Sequence, residues 1–182
     1  MDLTKINKHV ESLDDEPPFD DWHPTNCGDI DIVIKPDGTW LHEGKAITRL
    51  GLVKLLARVL IKENGDYFLK TPVEKMRIQV EDAPFVVTQW RTISNDKTPE
   101  KIEVTTNLGN TYIIDSDHPI TAKSDPYNNP CLYVTLHRQL TAKVHRNVYY
   151  QWAEIAQEKN IEGIIHMVLE SGNQNFSLGA LE

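Results

Sequence analysis

The sequence predicts an α+β fold built as two small, duplicated halves, each mostly antiparallel sheet with one main helix. Three observations predict it. Between residues 66 and about 137, short apolar or alternating runs are separated by Pro, Asn, Asp and Gly, the texture of a multistranded antiparallel region. Two stretches, one after Thr48 and one after Asn147, carry apolar residues at helical spacing. Finally, Trp40-Leu41-His42 leads through Arg49 into the first of these stretches, as Thr135-Leu136-His137 leads through Arg146 into the second. The two histidine-to-arginine spacings differ, so shared secondary-structure grammar explains this echo as well as duplication does.

Taken in order, Leu3, Ile6, Val10 and Leu13 follow Asp2 at helical spacing, which predicts a short amphipathic opening helix. Asp14 to Asp21 holds two prolines without amide donors among repelling acids, the mark of an extended surface connector. Asp29 to Ile34 reads as a strand, Pro36-Asp37-Gly38 as a turn, and Thr39-Trp40-Leu41-His42 as the returning strand. Thr48 stands where an N-cap belongs. Leu52, Val53, Leu55, Leu56, Val59 and Leu60 then keep helical period until Asn64-Gly65, with Lys54, Arg58 and Lys62 on the solvated face. Tyr67 to Leu69, Met76 to Val80, Phe85 to Ile93, Ile102 to Thr106, Tyr112 to Asp115 and Cys131 to Leu136 are strands. Asn147 caps a helix carrying Val148, Trp152, Ile155 and Ala156, and Ser171-Gly172-Asn173 closes a last hairpin. The expected divisions are a helix and acidic lead-in over 1–21, an N-terminal α+β domain over 22–82 and a C-terminal one over 83–182.

Composition narrows the function. The chain carries 27 acidic and 19 basic residues, net -8, and residues 1–29 alone hold 8 acids and 2 bases. No cluster of Lys or Arg forms the basic stripe that duplex nucleic acid requires, so no nucleic-acid partner is expected. No apolar run approaches the ~18 residues of a membrane span, and the N-terminus lacks a secretory pattern, so a cytoplasmic protein with no membrane partner is expected. Cys27 and Cys131 stand far apart and read as buried small apolar residues. The seven histidines show no paired spacing on one helix, and His42-Glu43 lacks a zincin's second histidine, so no metal or cofactor is expected. No Gly-x-Ser-x-Gly elbow occurs, and no catalytic residue is assigned.

The densest polar stretch runs from Thr71 to Phe85. If residues 74–81 form a strand, Met76, Ile78 and Val80 face the core while Lys75, Arg77, Gln79 and Glu81 project together from the other side. Glu74 then falls on the apolar side. It must sit at the strand's end or be paired with a donor such as Arg49 or Arg146, because an unpaired buried charge costs several kcal/mol. Lys75 and Arg77 could clamp a phosphate-like anion, or pair across strands with Glu81 and Asp82. Glu81 and Asp82 are adjacent and point oppositely, a poor carboxylate pair for acid-base work.

Several of these residues carry a family resemblance. Cys27-Gly28-Asp29-Ile30-Asp31, Asp37-Gly38-Thr39-Trp40, His42-Glu43-Gly44, Thr71-Pro72-Val73-Glu74-Lys75 and Val80-Glu81-Asp82-Ala83-Pro84-Phe85 resemble a bacterial family named domain of unknown function 1285. The resemblance spans roughly residues 17–170. It implies a duplicated two-domain α+β architecture, a second domain loosely like a pleckstrin-homology fold, a small-ligand site at the domain interface, a nucleotide-based ligand and a signalling role. On that basis the ligand-binding residues are expected to be Trp40, His42, Glu43, Arg49, Glu74, Lys75, Arg77, Glu81 and Trp90, with Trp40 or Trp90 stacking on a base and Arg49 or Arg77 meeting phosphate.

Three functions compete. The first is a cytoplasmic ligand-binding module with a signalling or regulatory role. The second is an enzyme acting on a nucleotide or phosphorylated metabolite, with Glu74, Glu81 or Asp82 as acid-base group and Lys75 or Arg77 stabilising charge. The third is an adaptor whose acidic leader and basic helix face over 48–62 hold a protein partner.

Overall fold

The computed structural model describes residues 17–95 and 98–181, apart from the side chains of Asn95 and Thr98. The expected opening helix and residues 14–16 lie outside the described residues. The chain divides after Glu81 into two units.

In the first unit, Phe19–Asp21 forms one 3-10 turn where an extended connector is expected. Phe19 and Trp22 meet edge to face at 5.3 Å, and Trp22 is buried. The half-buried Phe19 thus packs the end of the lead-in against a core tryptophan. Then follow β1 (Asn26–Ile34), β2 (Trp40–His42), β3 (Lys45–Ala46), α1 (Leu50–Arg58), β4 (Leu60–Glu63), β5 (Asp66–Lys70) and β6 (Glu74–Val80). The sheet order is β3-β2-β1-β6-β5-β4.

The expected β1–β2 hairpin forms, its turn tied by the Thr39 amide donating to Asp37 Oδ1 at 2.9 Å. The helix departs from expectation at both ends. Arg49, not Thr48, is the N-cap residue, and the helix stops at Arg58. Leu60 to Glu63 instead pair with Asp66 to Leu69 as a hairpin, so Lys62 lies on a strand and leaves only Lys54 and Arg58 on the helix. Asn64 and Gly65 both take positive φ, the backbone of a two-residue type I′ turn, whose strand pairing overrides the helical period of Val59 and Leu60. A Cβ at Gly65 would meet nothing within 4 Å, so its cost is conformational. Gly65→Ala is expected to lower stability by about 1 kcal/mol, read as a lower urea midpoint at unchanged slope.

The sheet is mixed. β1 and β6 run parallel, whereas all its other pairs are antiparallel. Asp29 pairs with Arg77 and Val33 with Gln79, so β1 takes two more residues than β6 over that interval. Two extra residues keep the alternation of faces while breaking the ladder. Ile32, Ile34, Trp40, Met76 and Ile78 are buried on one face, and α1 adds Val53, Leu56 and Ala57 to the buried set. Lys75, Arg77 and Gln79 project from the other face, as the alternation predicts.

The second unit contains β7 (Phe85–Asn95), β8 (Thr98–Thr106), β9 (Thr111–Ile113), β10 (Ile120–Ser124), β11 (Pro130–Thr135), β12 (Thr141–Val144), α2 (Arg146–Ile155), β13 (Gln157–Ile161), β14 (Ile164–Ser171) and β15 (Gln174–Ala180). Its six-stranded sheet runs β10-β11-β12-β7-β8-β9, with a three-stranded sheet β13-β14-β15 besides. Again one pair, β7 with β12, is parallel. Both six-stranded sheets thus join two three-strand meanders through their first and last strands. The helix lies between the meanders in the first unit and after both in the second. The α2 cap is His145 rather than Asn147: the Asn147 amide donates to His145 Nδ1 at 3.2 Å. Ser171 ties β14 to β8, its Oγ accepting from the Ile102 amide at 2.9 Å and donating to the Ile114 carbonyl at 2.7 Å.

Candidate functional site

The break in the β1–β6 ladder opens a cleft of about 650 Å³ on the polar face of the first unit, lined by Asp29, Asp66, Tyr67, Arg77, Gln79 and Glu81 among others. A hollow of about 360 Å³ shares Asp29 and Arg77 with it and adds Phe68, Lys75 and Cys27, which is exposed where burial is expected. Strand alternation explains the company. Phe68 pairs with Arg77 and Cys27 with Lys75, and paired residues share a face.

The charges here have partners, though not the expected ones. Arg77 Nε donates to Asp29 Oδ1 at 2.8 Å. Lys75 pairs with Glu63 and lies 4.4 Å from the centre of the Phe68 ring. Glu81 pairs with Lys35. Glu81 and Asp82 therefore do not neutralise Lys75 and Arg77, because nearer carboxylates on β1 and β4 share their face. The Arg77 side chain remains 54% exposed, and its terminal N–H groups make no hydrogen bond among the described residues. Glu74 is the first residue of β6, where Oε1 accepts from Asn26 Nδ2 at 3.1 Å. That is the strand-end alternative, with an amide as donor in place of Arg49 or Arg146.

The remaining expected residues lie elsewhere. Trp40 is 1% exposed. Buried among aliphatic side chains, its ring has no open face for a base, which corrects the stacking role expected of it. His42 pairs with Ile32 and shares that buried side of the sheet, opposite Lys75 and Arg77. Glu43 is exposed in the turn after β2 with φ 48°, and Arg49 is exposed at the start of α1. Trp90 belongs to the second unit, where Nε1 donates to Gln151 Oε1 at 2.7 Å and the ring meets Trp152 edge to face. Lys75, Arg77 and Glu81 are thus brought to one face, and Trp40, His42 and Glu74 lie on the other.

A second constellation escapes the sequence reading. Lys143 Nζ donates to Asp82 Oδ2 at 2.7 Å and to Asp125 Oδ2 at 3.1 Å, while Tyr133 donates to Asp82 Oδ1 at 2.7 Å. Asp125 Oδ1 also accepts from the backbone amides of Tyr127 and Asn129, each at 2.9 Å. The Asn129 amide is the chief cause holding the Asp125 carboxyl well below the usual range. Lys143 adds to this, and burial opposes it. Burial works against a charged Lys143, but the two carboxylates overcome it and raise its pKa. Burial, then the bond to Asp82, raise the Tyr133 phenol far above its ordinary value. Only Asp82 among these drew notice in the sequence. The others sit on separate strands and turns, and nothing local marks their convergence.

The fold and these sites define a two-unit α+β protein with a polar cleft in its first unit and a buried ionic cluster in its second. Residues 17–83 match the DUF1285 N-terminal domain, a domain of unknown function, and residues 84–178 match the C-terminal domain of the same family, a protein of unknown function. The chain belongs to the DUF1285 family. The crystal structure of a DUF1285 family protein from Silicibacter pomeroyi DSS-3 is similar at 28% identity and a TM-score of 0.82, covering 97% of this chain and 95% of that one. That of a DUF1285 family protein from Shewanella baltica OS155 shows 29% identity and a TM-score of 0.54, covering 68% of this chain and 90% of that one. No curated protein matches the chain.

Proposed function

We propose that this protein is a small-ligand-binding module and that its ligand occupies the cleft beside β6. The supporting observation is the break in the β1–β6 ladder, a concavity of ordinary ligand size whose lining includes the half-exposed side chain of Arg77 with its terminal donors unused. Three carboxylates, Asp29, Asp66 and Glu81, line it against one guanidinium. That balance suits a ligand rich in hydroxyl or amine donors with at most one anionic group, such as a nucleoside monophosphate, and disfavours a triphosphate. Binding is favoured over turnover because Lys75, Arg77, Glu81 and Glu74 each already have a partner, and none stands as a lone acid or base. A regulatory or signalling role, with a second unit loosely of the pleckstrin-homology kind, is part of the same reading.

Melting the full chain with a panel of nucleosides and their mono- and triphosphates tests this. Ligand at ~100 times its dissociation constant adds ~2.7 kcal/mol, a rise of roughly 5 to 10 °C for a chain of this size. The rise is expected from a monophosphate, smaller from the matching triphosphate, and absent in Arg77→Ala. That variant should otherwise melt almost as the parent does, since an exposed ion pair contributes little to stability. A panel that leaves the transition unmoved removes the proposal. Product formed from the stabilising ligand, and lost in Glu74→Gln, would favour an enzyme.

A further inference from the structure

We infer that the second unit holds a separate binding site for a small organic monoanion with an aromatic or apolar body. A cavity of about 460 Å³ lies between β11, β12 and the first turn of α2. Among the described residues no Asp or Glu lines it, although the chain carries net -8. Lys143 and Arg146 do, with Tyr149, Tyr150, Leu132 and Val144 supplying aromatic and aliphatic walls. The acids are stacked behind. Asp82 and Asp125 both accept from Lys143 and do not line the cavity.

This arrangement leaves Arg146 as the donor with N–H groups to spare. Lys143 spends its ammonium on the two carboxylates and on the neighbouring Cys131 thiol. Arg146 donates through Nε to the Tyr150 hydroxyl at 2.9 Å, and its guanidinium carbon lies 5.4 Å from that ring's centre. Tyr150 therefore fixes the guanidinium, while the terminal nitrogens make no hydrogen bond among the described residues. A planar fork held in this way matches a carboxylate in two-point contact. The two carboxylates behind the lining outweigh the single Lys143 charge, so Arg146 is the lining cation without a carboxylate partner among the described residues, and one negative group in two-point contact is its complement.

The test uses 2-naphthoate and its neutral amide, 2-naphthamide, titrated into the full chain while backbone amide resonances are followed. Naphthoate is expected to shift the amides of Leu132, Val144, Arg146 and Tyr149 and to bind about tenfold more tightly than naphthamide. Arg146→Gln should abolish that preference, Arg146→Lys should keep part of it, because charge remains and the fork is lost, and Arg77→Ala should leave it intact. Equal affinity for acid and amide, shifts confined to other residues, an unaltered Arg146→Gln, or no binding at ~5 mM would each overturn the assignment. Since Arg77 lies in the other unit, failure here leaves the β6 cleft untouched, and the reverse also holds.

Discussion

Lys143→Met is expected to destabilise the second unit by about 3 to 5 kcal/mol, the usual consequence of removing one partner from a buried ion pair. Methionine replaces most of the aliphatic stem, so little of the loss is a cavity. The cost falls on the carboxylates. The Asp82 side chain is 4% exposed and keeps only Tyr133 as a partner, while that of Asp125 is 6% exposed and keeps its backbone amides. Urea unfolding of the full chain, followed by tryptophan fluorescence, measures the loss.

The pH dependence identifies its origin. Because the Asp125 carboxyl is held below its ordinary value in the folded state, its contribution is present above about pH 4 and is lost as pH falls toward the lower folded value. Without Lys143 the folded Asp125 carboxylate binds protons more readily. The variant's deficit is therefore largest at neutral pH and narrows below about pH 4. Adding Asp82→Asn should recover part of it. A deficit that stays constant with pH would mean that the ammonium matters for packing and not for charge.

How much of this was legible follows from the range of each signal. The β1–β2 hairpin announced itself through Pro36-Asp37-Gly38, and the alternation of β6 placed Met76 and Ile78 inward and Lys75 and Arg77 outward, as observed. Both signals are local. Asn64-Gly65 is equally local but ambiguous, since the same dipeptide stops a helix or turns a hairpin, and here it turns one. The parallel pairings of β1 with β6 and β7 with β12 join segments far apart in the chain, and no short window encodes them. Strands β10, β12 and β13 were missed because charged and small residues break their apolar pattern, their place being set by neighbours.

The same distinction governs the sites. That Lys75, Arg77 and Glu81 share a face follows from period two alone, and the cleft beside them needs the two extra residues of β1. Their counter-ions required the sheet order, which brings β1 and β4 residues to that face. The Lys143 cluster draws on residues 82, 125, 133 and 143, from two turns and two strands. A lysine one residue before the end of a four-residue strand without an apolar run reads as solvated until its neighbours are known.

Trp40 gives the other large expected effect, and it separates a core residue from a binding residue. Trp40→Ala should cost the first unit about 3 to 5 kcal/mol, since deleting a fully buried indole leaves a cavity the sheet cannot close. Trp40→Phe should cost much less, under about 1.5 kcal/mol, because most of the apolar volume survives. The lost group is no sacrifice: Trp40 Nε1 is buried and has no hydrogen-bond partner among the described residues. Chemical unfolding of the two variants gives the stability effects, and the nucleotide melting series gives the binding effect. If Trp40 is core only, the Trp40→Phe protein keeps the full ligand-induced rise, whereas Arg77→Ala loses it. A Trp40→Phe protein of parental stability that no longer responds to ligand would return the indole to the binding site, and with it the aromatic role first expected of that residue.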